Sequence, residues 1–273
     1  MNSRRSFFKQ AAYGSIGIGL YSSRLPGYTP AQPLQLGIAG YTFTKVGMET
    51  AIAMMQRLGI TNLSLKDNFL PLDSTVVRCR EVIDQFKAAG ITVYGVGVIY
   101  MKTLAEVDRA FDYAARTGVK LIIGAPEYSL LPYAETKVRS TGIRLAIHNH
   151  GPEDRLYPSP ADVWGRISGM DKNIGLCIDI GHATRAGTKL SDAITLYQDR
   201  LFDLHIKDVS GAYKEAAATE IGRGVIDFPL MIKTLETINY TGKCSLEYEK
   251  DMTDPIPGLA ESTGFFRGVI RAV

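Results

Sequence analysis

The chain has 273 residues, of which 45% are hydrophobic, so it is long enough to bury one large core. Its formal net charge of +3 shows neither the basic excess typical of nucleic-acid binding nor a strongly acidic character. The three cysteines, Cys79, Cys177 and Cys244, form no CxxC pair and leave one thiol over, which argues against a disulfide framework and a zinc ribbon. The composition is typical of an ordinary soluble enzyme without a nucleic-acid partner.

The N-terminus carries an export pattern. Residues 3–9 have the sequence SRRSFFK, which matches the twin-arginine signal, and a mildly apolar, Gly-rich stretch follows over residues 11–21. A signal peptide is therefore predicted over residues 1–31, with export of the folded protein to the periplasm. The apolar stretch is too short and too rich in glycine for a membrane span, so no stable span is expected after processing. The alternative is a basic amphipathic helix.

From residue 32 to residue 273 the pattern predicts one domain, in which apolar strand-like runs alternate with longer amphipathic stretches. The predicted strands span residues 34–39, 61–66, 91–98, 120–124, 143–148, 174–180, 201–207 and 243–248. The predicted helices span residues 48–58, 75–89, 104–117, 132–140, 160–168, 190–199, 228–238 and 259–269. The predicted helix stops are Gly59, Gly90, Gly118, Gly142 and Gly242.

Eight strand–helix units in one domain are the order of a (β/α)8 TIM barrel, an α/β fold. A doubly wound open sheet is the alternative. No GxGxxG motif follows the first predicted strand, which argues against that alternative.

Four segments in the second half of the chain each run from apolar residues to potential metal ligands. They are LAIHNH at 145–150, CIDIGH at 177–182, LHIKD at 204–208 and SLEYE at 245–249, and together they contain all four histidines. Each begins like a buried strand, so several strands are expected to present these ligands at one edge of the barrel. Imidazole and carboxylate donors without thiolates predict a site for a hard or borderline divalent cation.

The alternation of side chains along a strand decides which residues can share the site. With Asp179 from the sixth strand, one ligand from each of four adjacent strands would form a four-point shell that leaves positions for substrate oxygens or water. The pairs that share a face are His148 with His150, His205 with Lys207, and Glu247 with Glu249.

The ordered segments HNHGPED, DIGHA, LHIKD and LEYE resemble those of the xylose isomerase-like TIM barrels, also called the sugar phosphate isomerase/epimerase superfamily. The resemblance covers nearly the whole chain after the export signal. In the ketose epimerases of that superfamily, Glu, Asp, His and Glu from strands five to eight hold the metal. By this resemblance Asp179, His205 and Glu247 are metal ligands and His148 takes the place of the first Glu, with Mn²⁺, Co²⁺, Zn²⁺ or Mg²⁺ as the ion.

The resemblance also implies catalytic roles. The ketose epimerases use two carboxylates as a proton-transfer pair, so His148 is a departure that removes one of them and leaves Glu247 as the candidate base. His150, or Glu153 just beyond it, could take the second role or even the ligand role. Lys207 is expected to polarise a substrate oxygen.

Three further residues are predicted to bind substrate. Lys66 ends the second predicted strand, His182 begins the loop after the sixth, and Arg223 lies in a Gly-Arg-Gly sequence after the seventh. Their simpler alternatives are a solvated lysine, a cap of the following turn and a solvent-facing arginine in a tight turn. Because phosphorylated sugars are mainly cytoplasmic, export favours a neutral hydroxylated ligand or a carboxylate at Arg223.

The predicted chemistry is abstraction of a proton next to a carbonyl, with the resulting enediolate stabilised by the cation. Reprotonation would make the protein a sugar isomerase or epimerase, and a non-phosphorylated keto-sugar is the expected substrate. Loss of a β-substituent would instead make it a 3-keto-glycoside lyase or dehydratase, which needs one base and one general acid, and His150 or His182 could supply the acid. A non-catalytic carbohydrate-binding barrel is the third alternative. The sequence is compatible with a homo-oligomer.

Replacing Arg4 and Arg5 together by lysine tests the predicted signal peptide. The export route reads the guanidinium pair and lysine lacks its planar donor fork, so the double variant is expected to stay in the cytoplasm. Cell fractionation of wild-type and variant protein measures this. Normal export of the double variant would show that residues 3–9 belong to a basic helix.

Overall fold

The structure, a computed structural model, describes residues 33–273, and the predicted signal peptide over residues 1–31 lies outside them. Eight parallel strands close into a barrel, in which each pairs with the next barrel strand along the chain and the last pairs with the first. After the seventh strand, β8 (Asp208–Val209) and β9 (Ala218–Thr219) form a separate antiparallel pair. The barrel strands are β1 (Gln35–Ala39), β2 (Asn62–Leu65), β3 (Thr92–Met101), β4 (Leu121–Pro126), β5 (Arg144–His148), β6 (Ile174–Asp179), β7 (Leu201–Ile206) and β10 (Lys243–Leu246).

Helices follow the barrel strands, so the predicted (β/α)8 fold is confirmed. Among residues 33–273, no helix is both long enough and apolar enough to cross a membrane. The α-helices are α1 (Met48–Leu58), α2 (Val76–Ala88), α3 (Leu104–Thr117), α4 (Leu131–Thr141), α5 (Pro160–Ile167), α6 (Ile180–Arg185), α7 (Leu190–Leu196), α8 (Phe228–Thr237) and α9 (Ile256–Ala272).

Several strand ends differ by one to three residues from the sequence prediction, and two of these differences change the assignment of residues at the mouth of the barrel. The third strand continues to Met101 and so includes Tyr100. The sixth strand ends at Asp179, because Ile180 already begins the short helix α6, which the apolar pattern did not indicate. Position 182 is therefore helical rather than part of a loop.

Gly242 was predicted to stop a helix, and this prediction is wrong. Helix α8 ends before Ile238, and the left-handed turn that follows is at Asn239, with φ of 51°. Gly242 is required for packing instead, since a Cβ there would lie 2.3 Å from the Tyr240 hydroxyl. The other four predicted stops are glycines with positive φ.

The strands are buried on both faces, as expected for a parallel barrel surrounded by helices. Every residue of β4 and β6 is buried. Helix α3 begins at a capping box of Thr103 and Glu106 and buries Val107 and Phe111 against the barrel. Packing of this kind fixes the strand ends that carry the site.

A polar layer lies inside the barrel. The Tyr94 hydroxyl donates to Asp203 Oδ2 at 2.6 Å and lies 2.6 Å from Ser245 Oγ. Burial raises the pKa of Asp203 to about 7. His205 lies two residues after Asp203 in β7, and Glu247 lies two residues after Ser245, so both point to the same side of the sheet as the polar layer. The polar interior therefore continues to the C-terminal mouth.

The loop after β7 is organised by one carboxylate, Asp208. Its oxygens accept the backbone N–H groups of Val209 at 2.9 Å, Gly222 at 3.0 Å, Gly224 at 2.9 Å and Ile226 at 3.3 Å. A Cβ on Gly224 would lie 2.2 Å from Asp208 Oδ1, so only glycine allows this approach. The final acid of the LHIKD segment therefore serves the loop.

Candidate metal centre

Four side chains from adjacent strands meet inside the mouth of the barrel. They are His148 at the end of β5, Asp179 at the end of β6, His205 in β7 and Glu247 directly after β10. One ligand atom from each lies within 4.8 Å of the ligand atoms of the other three. At most 4% of the surface of any of the four residues is exposed. These are the residues that the sequence predicted as metal ligands.

Asp179 is oriented by its neighbours on both sides. Its backbone N–H donates to the Asn149 side-chain oxygen at 3.0 Å, and the Asn149 amide donates to the Asp179 carbonyl at 3.1 Å. Its Oδ1 accepts the N–H of His182 at 2.8 Å and caps α6. Its Oδ2 faces the cluster, 3.0 Å from Lys207 Nζ and 3.6 Å from His148 Nε2.

The two cluster histidines face each other, with His148 Nε2 3.0 Å from His205 Nδ1. Burial and the neighbouring His205 lower the pKa of His148 well below its usual value, so this imidazole is neutral. Burial also disfavours charge on His205, but Cys177 and Glu247 outweigh burial and raise the His205 pKa. A cation bound by both rings would displace the proton between them.

Lys207 places its ammonium group among three carboxylates. Its Nζ lies 2.8 Å from Glu247 Oε2, 3.0 Å from Asp179 Oδ2 and 3.0 Å from Glu249 Oε1, and its side chain is buried. Burial disfavours the ammonium, but the carboxylates outweigh burial and raise the Lys207 pKa. Burial also disfavours the Glu247 carboxylate, but Lys207 and His205 hold its pKa well below the usual value. Both groups are therefore charged at neutral pH.

Gly181 makes room for this lysine. A Cβ at position 181 would lie 2.3 Å from Lys207 Cγ and 3.2 Å from Val209 Cγ1. A side chain there would displace the ammonium from Asp179. The glycine of the DIGHA segment therefore has a packing role beside the site.

The cluster has the charge and donors of a divalent cation site. Three carboxylates surround one ammonium, so the cluster keeps a negative charge in excess even when His205 carries its proton. Two imidazoles and two carboxylates are a donor set suited to borderline and hard divalent ions. Metal–ligand distances are about 2.0–2.2 Å. Because the four donor atoms lie within 4.8 Å of one another, side-chain adjustments alone would bring them to these distances from one ion.

A cavity of about 490 Å³ adjoins the cluster, within the usual size range of ligand pockets. His148 and Glu247 belong to both the cluster and the cavity wall, so a ligand in the cavity would reach the cluster. The lining residues are Tyr41, Lys66, Val98, Tyr100, His148, His150, Glu153, Asp154, His182, Glu247 and Glu249.

His150 lies in the cavity wall between Tyr100 and Asp154. Its Nε2 lies 2.7 Å from the Tyr100 hydroxyl, and the two rings stack with centroids 5.1 Å apart. Its Nδ1 lies 3.7 Å from Asp154 Oδ2. Burial and the neighbouring His148 lower the pKa of His150 to about 3, so the ring is neutral at pH 7. In the tautomer with its proton on Nδ1, toward Asp154, the ring accepts the Tyr100 hydroxyl proton at Nε2, which links His150 to the cavity through that hydroxyl.

His182 and Glu153 are connected through Arg185. Arg185 donates to both Glu153 oxygens at 2.9 Å, and its Nη1 lies 3.2 Å from His182 Nδ1. His182 Nε2 lies 3.4 Å from Lys207 Nζ. Burial lowers the pKa of His182 to about 3. A neutral ring in the cavity wall is suited to a hydrogen bond with a substrate hydroxyl.

The structure brings all but one of the predicted site residues together. Lys66 lines the cavity and donates to the Val98 carbonyl at 2.8 Å. Lys207 lies behind the cavity wall, against the cluster. Arg223 lies apart: its side chain is 60% exposed, pairs with Glu261 on α9 and does not line the cavity. The loop held by Asp208 turns Arg223 toward solvent.

Sequence reasoning did not identify Tyr100 and Asn149 as site residues. Tyr100 was missed because the third strand was predicted to end at residue 98. Extending the period-two pattern from Val98 would have put Tyr100 on the face that lines the cavity. Asn149 lies on the face of its strand opposite His148. A buried amide at a strand end requires hydrogen-bond partners, and this requirement could have indicated that Asn149 contacts a neighbouring strand end.

The family model for xylose isomerase-like TIM barrels matches residues 44–269. The chain belongs to this family. No curated protein matches it in sequence.

Solved structures with the same fold have low sequence identity to this chain. The 3-keto-D-glucoside 4-epimerase from E. coli is 18% identical, with a TM-score of 0.69 over 86% of this chain and 99% of the epimerase. L-ribulose 3-epimerase is 16% identical, with a TM-score of 0.69 over 88% and 95%. The IOLI protein, whose structure contains a zinc atom, is 13% identical, with a TM-score of 0.69 over 88% and 99%. At these identities the likeness is one of fold.

Removing one ligand at a time tests whether the four residues form one metal site. Asp179→Ala, His205→Ala and His148→Ala are each expected to lose bound metal and keep a folded barrel, since each removes a donor without emptying the apolar core. Elemental analysis measures the metal, and circular dichroism reports folding. Glu153→Ala, a cavity acid outside the cluster, is the matched control and should keep its metal. Stoichiometric metal in both Asp179→Ala and His205→Ala would contradict the site. If His150→Ala loses its metal and His148→Ala keeps it, His150 rather than His148 is the ligand from β5.

Proposed function

We propose that this protein is a divalent-metal-dependent sugar isomerase or epimerase that acts on a non-phosphorylated keto-sugar through an enediolate. The observation that carries the proposal is the buried cluster of His148, Asp179, His205 and Glu247, which opens onto a ligand-sized cavity at the C-terminal mouth of the barrel. The two sugar epimerases that share the fold support it.

The donor set is compatible with Mn²⁺, Co²⁺, Zn²⁺ or Mg²⁺, and the zinc atom in the IOLI structure supports a metal site in this fold. When bound, the cation would supply Lewis-acid stabilisation of the negative charge that develops on the carbonyl oxygen of the substrate. Lys207 adds a second fixed positive charge, 2.8 Å from Glu247 and 3.0 Å from Asp179.

Glu247 is the proposed base. It lies in the cavity wall as well as in the cluster, and its low pKa keeps it ionised at neutral pH. Because positive charge around the site stabilises the enediolate, a weakly basic carboxylate can remove the proton next to the carbonyl.

His150 is the proposed second proton-transfer group. Glu153 is held by Arg185 through both oxygens, which makes it less available than His150. The neutral His150 ring faces Asp154, which would stabilise the imidazolium that forms when Nε2 takes the proton of the Tyr100 hydroxyl as that hydroxyl takes one from the substrate. An imidazole supported by a carboxylate would thus replace the missing carboxylate of the family's ketose epimerases.

The charge of the cavity wall favours a substrate without phosphate. Four acids line the cavity, Glu153, Asp154, Glu247 and Glu249, against one lysine, Lys66. The histidines of the wall are neutral because burial lowers their pKa. Arg185 and Lys207, behind the wall, are already paired with Glu153, Glu247 and Glu249, so the wall offers a phosphate group only the Lys66 ammonium. Export to the periplasm, which we propose from residues 3–9, would also favour a non-phosphorylated sugar.

A 3-keto-glycoside lyase or dehydratase would use the same enediolate. The observation that favours it is His148 at the position of the family's first Glu, since elimination needs one base and one general acid, which His150 or His182 could supply, rather than two carboxylates. Product analysis by NMR distinguishes the two, since elimination releases a leaving group and forms a double bond.

Glu247→Gln tests the proposed base. The amide cannot accept the proton, so turnover is expected to fall by at least ~10²-fold, and exchange of the substrate's α-proton with D₂O should stop. NMR of keto-sugars in D₂O with Mn²⁺ measures both. Glu261→Gln, on the same end of the barrel and outside the cavity, is the matched control and should behave like wild type. Exchange at the wild-type rate in Glu247→Gln would move the base to His150 or Glu153. No exchange by the wild-type protein with any keto-sugar would favour a non-catalytic binding barrel.

A further inference from the structure

A second cleft, of about 420 Å³, lies beside the catalytic cavity. It is bounded by the loop after β2, the end of β3 and the first turns of α3. Lys66, Val98 and Tyr100 line both spaces, so the two are adjacent and share these residues as a common wall. The catalytic cavity alone is within the usual size range for a small ligand, which leaves the second cleft without a function in the chemistry.

The wall between the two spaces is fixed in position. Lys66 donates to the Val98 carbonyl at 2.8 Å and lies 3.4 Å from Asp67. Tyr100 is held by His150 through its hydroxyl and by ring stacking, yet 51% of its surface is exposed. An exposed, immobilised aromatic ring is suited to contact the apolar face of a sugar ring that passes from one space to the other.

The cleft offers polar groups to a neutral, hydroxylated ligand. Asp67, Asp73 and Glu106 carry three negative charges against the two positive charges of Lys66 and Arg109. This balance disfavours a phosphate or a carboxylate. Within the part of the chain that the structure describes, no carboxylate pairs with Arg109, so its guanidinium is free to donate to hydroxyl oxygens.

We propose that the substrate is a keto-sugar linked to a second sugar unit, with the reacting ring in the catalytic cavity and the second ring in the β2–β3 cleft. This inference rests on the proposed function and specifies its substrate class as a keto-disaccharide or a longer keto-glycoside. Tyr100 lies at the linkage, and Arg109 and Asp73 bind hydroxyls of the second ring.

Arg109→Ala and Asp73→Trp test the second subsite, because neither residue contacts the cluster. The probes are 3-keto-glucose and the 3-keto forms of cellobiose, maltose and trehalose, which sample three linkages. For at least one disaccharide, KM is expected to rise by about 10-fold in Arg109→Ala, the scale of a lost hydrogen bond to a charged group, and further in Asp73→Trp, which fills the cleft. The KM for 3-keto-glucose should stay unchanged. Arg80→Ala, an exposed arginine on α2, is the matched control.

Two results together would overturn the subsite. The wild-type protein would show the same kcat and KM for 3-keto-glucose as for all three disaccharides, and each variant would change the KM of every probe by the same factor. If no probe is turned over, the proposed function fails, and saturation-transfer NMR with unmodified cellobiose, maltose and trehalose decides the subsite separately. Saturation transfer from the wild-type protein to both rings of one disaccharide would support the subsite if Asp73→Trp loses the transfer to one of those rings. Contacts to a single ring of every disaccharide, or no contacts at all, would overturn it.

Discussion

A buried ammonium ion among carboxylates is the constraint on which the rest of the site depends. Charges removed from water cost several kcal/mol each unless they are paired. Lys207 pairs with Glu247 and Asp179, the start of α6 satisfies the other Asp179 oxygen, and Gly181 leaves space for the lysine stem. The carboxylates still exceed the ammonium in charge, and the same burial keeps His148 neutral, which is the form that binds a metal. The ligand cluster and its electrostatic support are therefore one unit.

The barrel could be predicted from the sequence because its local signals agree with the global fold. Each parallel strand is a short apolar run, and glycines such as Gly118 end helices in the left-handed conformation. The errors arose where packing overrides the local signal. Gly242 has the right residue type for a helix stop, but a glycine is needed there because the Tyr240 side chain leaves no room for a Cβ. Ile180 continues an apolar run, yet the Asp179 carboxylate caps a helix there.

The predicted ligand cluster came together because the period of a strand fixes which side chains enter the barrel, and adjacent parallel strands end at the same level. That rule put His148 with His150, His205 with Lys207 and Glu247 with Glu249 on shared faces, and the family resemblance then selected His148, His205 and Glu247 as ligands. Loop residues obey no such rule. Arg223 is turned outward by the backbone hydrogen bonds to Asp208, which link residues up to 18 positions apart and leave no periodic trace. The β2–β3 cleft likewise depends on tertiary packing of the loop after β2 against α3.

The central claim is that one divalent cation binds between the ends of β5, β6, β7 and β10. Anomalous diffraction from crystals of the wild-type protein grown with Mn²⁺ tests it most directly. The account predicts one strong peak at about 2.0–2.3 Å from donor atoms of His148, Asp179, His205 and Glu247, with the Lys207 ammonium beside it rather than in its place. No peak at the cluster at millimolar Mn²⁺, with Lys207 Nζ still bound to both carboxylates, would contradict it.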